Sequence, residues 1–234
     1  MSRPLTVGFL LFPNLTQLDL TGPYEVFVRA PYTDVHLIWK TLDPVKADRG
    51  LGLLPTTTFA DCPDLDVICV PGGPGQIALM EDEETLAFLR QQAQKVRLVT
   101  SVCTGSLVLG AAGLLQGYRA TSHWASLDQL ALLGATPVAE RVVHDRNRIT
   151  GAGVTSGIDF ALHVVSEIYG EEAAQLIQLH MEYDPAPPFF AGSPQSASPA
   201  LLHAALAQNA AFVAKRRAVT ERAAAALHRS DKQP

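Results

Sequence analysis

The chain has 234 residues, a formal net charge of −5, 47% apolar and 18% charged residues, and a mean hydropathy of +0.13. A chain of this kind can bury a core of its own, which excludes a disordered protein and removes the need for a disulfide or metal staple. Net acidity counts against nucleic acid as a partner, because phosphate recognition needs a basic face.

The one basic cluster, Lys215-Arg216-Arg217, reads as a solvated helix face. Leu5 to Phe12 is too short to span a bilayer and runs into Pro13, so no membrane association is expected. Cys62, Cys69 and Cys103 form an odd, sparse set, which places the chain in a reducing cytoplasm.

In chain order, Leu5–Phe12 reads as the first strand. It is apolar on both faces, as in a parallel sheet between helix layers. Thr21-Gly22-Pro23 then opens a helix, with a capping threonine and a proline suited to a first turn. Val35–Trp39 and Val67–Val70 are strands, and the second runs into Pro71-Gly72-Gly73-Pro74-Gly75.

Asp82–Val96 is a helix, Arg97–Val102 a strand and Gly105–Leu115 a helix. Arg141–Val143 and Arg148–Thr150 form a hairpin-like pair, followed by helices over Ile158–Tyr169 and Glu171–Tyr183. Strands alternating with helices predict an α/β fold with a doubly wound, mostly parallel sheet. Asp184–Pro199 is proline-rich and reads as an extended loop. Leu201–His228 is an alanine-rich helix with few large apolar side chains, suited to lying across a partner subunit. The chain divides into a catalytic domain over 1–194 and a helical extension over 195–234.

Ligands of such sheets bind beyond the carboxyl ends of the strands. The sharpest signal there is Val99-Thr100-Ser101-Val102-Cys103-Thr104-Gly105-Ser106, where an apolar run ends at Cys103 and a helix begins. This is the pattern of a nucleophile elbow. Helix N-terminal N–H groups stabilise a thiolate and are expected to lower the thiol pKa. A buried structural cysteine fits the same local pattern; Cys69, mid-strand, reads as core.

The Gly72-Gly73 turn lacks the endings of a P-loop and the GxGxxG spacing. Paired with an elbow on the same rim, it reads as half of an oxyanion hole, the Thr104 N–H being the other half. Asp19, between Leu18 and Leu20, is either a helix-start cap or a carboxylate buried to handle a proton. His123, in Thr121-Ser122-His123-Trp124, is a candidate partner for the thiol or a structural histidine. His36, His144, His163, His180, His203 and His228 show no metal-ligand spacing with one another or with the cysteines, so no metal is expected.

Gly8–Pro13, Leu18–Pro23, Val67–Gly73, Ser101–Leu115 and Arg119–Trp124 together resemble the DJ-1/PfpI superfamily over nearly the whole chain. Asp19 is shared with the amidotransferase-like sensor domains of some transcription regulators, whereas many other members carry Glu there. Glu182–Phe189 with Ala191–Pro194 resembles the isocyanide-hydrating branch. The tail after Pro194 is short for a helix-turn-helix module.

The resemblance implies a flavodoxin-like fold, a homodimer, no cofactor, and hydration of a small-molecule isocyanide to an N-substituted formamide. It implies Cys103 as nucleophile through a thioimidate, Asp19 as general acid/base and Thr104 beside the reaction. His123 is left structural or pocket-lining. Ala152, in Gly151-Ala152-Gly153, stands where another glycine is expected, which bears on how freely the following helix moves. Other readings of the same motifs are a glyoxalase or deglycase and a redox-sensing, non-enzymatic module.

Overall fold

The computed structural model describes residues 3–230. Strand β1 (Leu5–Leu10) is shorter than expected: Leu11 and Phe12 leave the ladder but stay fully buried. Helix α1 (Gln17–Phe27) starts ahead of the expected Thr21. Thr16 sits at its N-cap with extended backbone, and Thr16 N–H donates to the Gly72 carbonyl at 2.9 Å.

Pro23 therefore lies inside the helix, where its missing N–H removes the bond to the Asp19 carbonyl one turn back. Burial of Leu20, Val26 and Phe27 outweighs that local cost, as tertiary packing commonly outweighs propensity.

Strand β2 (Thr33–Trp39) follows, then the short strands β3 (Val45–Lys46), β4 (Gly52–Leu53) and β5 (Thr57–Thr58). Strand β6 (Val67–Val70) leads through the glycine-rich turn into α2 (Gln76–Leu79) and α3 (Glu83–Ala93). Strand β7 (Leu98–Val102) runs into α4 (Gly105–Ala111). After β8 (Arg119–Ala120) come a 3-10 segment over Trp124–Leu133 and β9 (Thr136–Pro137). A hairpin, β10 (Val142–Asp145) and β11 (Arg148–Gly151), precedes α5 (Ser156–Tyr169), α6 (Glu171–His180) and α7 (Pro199–Ser230).

The main sheet has the order β10-β11-β7-β6-β1-β2-β5. Every pairing in it is parallel except β10 with β11. Its centre, read β2-β1-β6-β7-β11, is the flavodoxin-like 2-1-3-4-5 order, whose switch point lies between β1 and β6. The expected doubly wound α/β fold is therefore present. Helices α1, α5 and α6 pack together on one side, and α3, α4, α7 and the 3-10 segment pack together on the other.

Core strands β6 and β7 are buried along their whole length. Such double-faced burial is why they read as continuous apolar runs rather than alternating ones. Asp184 to Ser198 contains no helix or strand, as its prolines require.

One reading of the tail is corrected. Arg216 is 6% exposed and donates from Nη1 to Ser126 Oγ at 2.7 Å, so it does not belong to a solvated face. The carboxyl-terminal half of α7 also joins the core through Val219, Ala223 and Ala224. Its small side chains let the helix approach the 3-10 segment closely, and Thr220 Oγ1 donates to Gln129 Oε1 at 2.9 Å. The amino-terminal half keeps Leu201 and Leu206 exposed. The last residues of the expected extension, 231–234, lie outside the described residues.

Candidate active site

Cys103 has φ 57°, a left-handed conformation that a residue with a Cβ adopts at a cost of about 1–3 kcal/mol. Its surroundings hold it there. The Cys103 N–H donates to both the Gly151 and Ala152 carbonyls, at 3.0 and 2.8 Å. Its carbonyl accepts from Ser106 Oγ and Ser122 Oγ, each at 3.1 Å.

The turn also needs α4 pressed against the end of β6. A Cβ on Gly105 would stand 2.0 Å from the Val70 carbonyl oxygen, so only glycine fits at the start of α4. The elbow read from the sequence is thus formed, with the thiol aimed beyond the carboxyl end of β7.

Asp19 is fully buried in the first turn of α1. It makes no cap bond to its own helix; instead Oδ2 accepts the Gly72 N–H at 2.9 Å. Among the described residues, Oδ1 has no hydrogen-bond partner. Asp19 is therefore a buried carboxylate and not a helix cap.

Burial raises its pKa to about 7, with the neighbouring Cys103 thiol and the Gly72 N–H pulling the other way and the Asp48 charge adding a little. The Cys103 thiol is pushed well above its ordinary value, first by burial and then by the neighbouring Asp19 charge. The Thr104 N–H and the Arg216 charge oppose that rise. The lowered thiol pKa expected from the helix N-terminus is overturned, because desolvation of the buried thiol outweighs the single N-terminal donor, the Thr104 N–H. Cys103 and Asp19 behave as a coupled pair that competes for a proton.

The glycine turn does more positioning than expected. Gly72 N–H is occupied by Asp19, and Gly73 N–H donates to Thr104 Oγ1 at 3.1 Å. Neither N–H is free in this structure to receive an oxyanion. A Cβ on Gly72 would lie 2.6 Å from the Thr104 nitrogen and 2.8 Å from Asp19 Oδ2, so glycine lets the loop sit directly on both residues.

His123 Nδ1 accepts the Ala125 N–H at 3.2 Å and caps the 3-10 segment, a structural role. Its ring also borders a cavity of about 490 Å³ lined by Ser122, Trp124, Gly153, Thr155 and Pro194. Ser122 joins that cavity to the elbow, since its hydroxyl holds the Cys103 carbonyl. Ala152 accommodates its methyl group and supplies a carbonyl to Cys103.

Two contributors, Arg216 and Ser122, escaped sequence reasoning. Arg216 lay in a basic run that resembled surface, and Ser122 lay beside a more conspicuous histidine.

A family model described as the DJ-1/PfpI family matches residues 5–167. The chain belongs to the DJ-1/PfpI family. Within it, the chain is 60% identical over 224 residues to the isonitrile hydratase of Pseudomonas putida, covering 96% of this chain and 98% of that protein. It is 34% identical over 192 residues to the HTH-type transcriptional regulator GbdR of Pseudomonas aeruginosa, covering 78% of this chain but 52% of the regulator.

Among solved structures, a THiJ/PfpI family protein from Pseudomonas syringae superposes with a TM-score of 0.91 at 46% identity, over 93% of this chain and 90% of that one. The DJ-1/PfpI fold thus extends past the family match to most of the carboxyl-terminal part.

Two predictions follow from the electrostatics of this DJ-1/PfpI site. Asp19 has a folded pKa above its unfolded value, so the folded state binds its proton more tightly. That contribution is complete below the unfolded value near 3.8 and is lost as pH rises through about 7. The Asp19→Asn protein should therefore be the more stable one near pH 8, by up to about 4 kcal/mol, with the gap closing toward about pH 4. Urea denaturation across pH measures this, and a parallel pH dependence in both proteins would contradict it. Arg216→Met should slow alkylation of Cys103 by iodoacetamide severalfold at mildly alkaline pH, because a charge favouring the thiolate is lost. An unchanged rate would remove that role.

Proposed function

We propose that this chain is an isocyanide hydratase, converting an isocyanide and water to an N-substituted formamide with Cys103 as nucleophile and Asp19 as general acid/base. The carrying observation is a strained, buried cysteine paired with a carboxyl group whose pKa of about 7 lets it both take and give a proton at neutral pH. The 60% identity to an isonitrile hydratase over nearly the whole chain supports the substrate class.

Every step can be run with these two groups. Asp19 takes the thiol proton as sulfur attacks the terminal isocyanide carbon, forming the C–S bond. The same carbon then receives that proton from Asp19, leaving a thioimidate, Cys–S–CH=N–R. Water adds to the thioimidate carbon while Asp19 accepts its proton. The C–S bond breaks, the thiolate leaves and recovers a proton from Asp19, and the released hydroxyimine tautomerises to the formamide. Isocyanide and water are consumed, and nothing is oxidised or reduced.

In this reading Gly72 and Gly73 act by holding Asp19 and Thr104 in place, and Thr104 steadies the sulfur through its N–H. The cavity beside Ser122, His123 and Trp124 is of a size suited to a small organic substrate, and no cofactor is required. The helical extension over 195–234 serves the catalytic domain by carrying Arg216 inward.

Three free cysteines fit a cytoplasmic protein, and among the described residues no helix is long and apolar enough to cross a membrane. A homodimer would cover the exposed Leu179, Phe189 and Phe190.

The deciding measurement is turnover of a simple aryl isocyanide, with formamide followed by chromatography. Native protein should form it, Cys103→Ala should form none above background, and Asp19→Asn should lose about a hundredfold or more. Full activity in Asp19→Asn would reject the acid/base assignment. No formamide from folded native protein would reject the reaction, and methylglyoxal consumption would then favour a glyoxalase. Sedimentation is expected to give a dimer, and a monomer at all concentrations would contradict the proposed assembly.

A further inference from the structure

At the sheet edge farthest from β5, β10 pairs antiparallel with β11, and its other side faces no strand of the main sheet. Helix α5 packs against this edge. His144 projects from β10, while His163 and Glu167 stand one turn apart on α5 and so share a helix face. His144 Nδ1 lies 3.4 Å from His163 Nε2 and 3.7 Å from Glu167 Oε1. His163 Nε2 lies 4.0 Å from the same oxygen.

The three donor atoms thus mark a compact triangle. In a tetrahedral site with bonds of about 2.0–2.1 Å, donor atoms stand about 3.3–3.4 Å apart. Closing this triangle to that size requires shifts of only tenths of an ångström. The side chains, 30–45% exposed, have room to make them.

A second feature points to the same use. His144 Nε2 lies 2.8 Å from the Arg146 carbonyl oxygen. A carbonyl only accepts, so the proton resides on Nε2 and the Nδ1 lone pair faces His163 and Glu167. A histidine whose far nitrogen donates to a backbone carbonyl has the outer-shell arrangement of metal-ligating histidines. Glu167 Oε1 is beyond hydrogen-bond distance of both rings, though within ion-pair distance.

Neighbouring cations do not fill the gap. Arg146 is held by Asp145 and the Gly117 carbonyl, and Arg97 reaches the Glu167 backbone carbonyl rather than its carboxylate.

We propose that His144, His163 and Glu167 bind a divalent ion of the zinc class, clasping edge strand β10 to helix α5. Two imidazoles and one carboxylate suit zinc, cobalt or nickel better than calcium or magnesium, which prefer all-oxygen sites. Three protein ligands leave one position for water. His144 pairs with Ile149 on β11, whereas Gly151, near the elbow, is at the other end of that strand. The ion therefore serves stability rather than the reaction at Cys103. Spacing along the chain gave no sign of the cluster, because one ligand stands on a strand and two on a helix.

The test is titration of untagged full-length protein with cobalt(II), read by its visible absorption, together with the thermal shift caused by zinc. One equivalent should bind in the native, Cys103→Ala and Cys62→Ser proteins, giving tetrahedral bands without thiolate charge transfer and a higher Tm with zinc. Affinity should fall by at least about tenfold in His163→Ala and in Glu167→Gln. His163→Gln replaces the first variant if circular dichroism shows that it does not fold. Failure of folded native protein to bind cobalt would overturn the proposal. So would binding that survives both the His163 and the Glu167 substitution, or that vanishes with either cysteine.

Discussion

A residue with a Cβ held at positive φ has to be kept there by something stronger than its own preference, and at Cys103 that something is a closed set of hydrogen bonds. Its N–H is shared between two carbonyls at the end of β11, and its carbonyl is held by two serine hydroxyls. Three separate stretches of chain therefore meet at one residue. The parallel register of β6, β7 and β11 brings those stretches to the same rim, and Gly105 allows α4 to start directly against β6.

Burial sets the chemistry of the pair. Asp19 has one oxygen held by the Gly72 N–H and the other free, in a site that disfavours charge. Its pKa rises to about 7, while the same burial and the Asp19 charge keep the thiol protonated in the resting state. In the proposed reaction, nucleophilicity would come from proton transfer within the pair rather than from a standing thiolate. Such a buried carboxyl group costs stability at neutral and higher pH.

The carboxyl-terminal helix links the extension to this electrostatic setting. Alanines at the contact allow α7 to lie close to the 3-10 segment, and Arg216 is carried into the interior with Ser126 as a partner. Its guanidinium is one of the few groups that favour charge on Cys103. A helix poor in large apolar side chains thus contributes a buried cation as well as core contacts.

By itself, the sequence determined the alternation of strands and helices, the elbow at Cys103, the glycine turn after β6 and, through its motifs, membership of the DJ-1/PfpI family. Those features are local: an apolar run, a breaker and a helix start are written in consecutive residues. Element ends were less legible, as at α1, where packing of Leu20 and Phe27 carried the helix back past Thr21. Only the tertiary structure decided that Gly72 and Gly73 spend their N–H groups on Asp19 and Thr104, that the thiol is raised rather than lowered, and that Arg216 is inside. It also brought His144 to His163 and Glu167. Each of these depends on desolvation and on the direction of groups that are distant along the chain, quantities that no local pattern of residues carries.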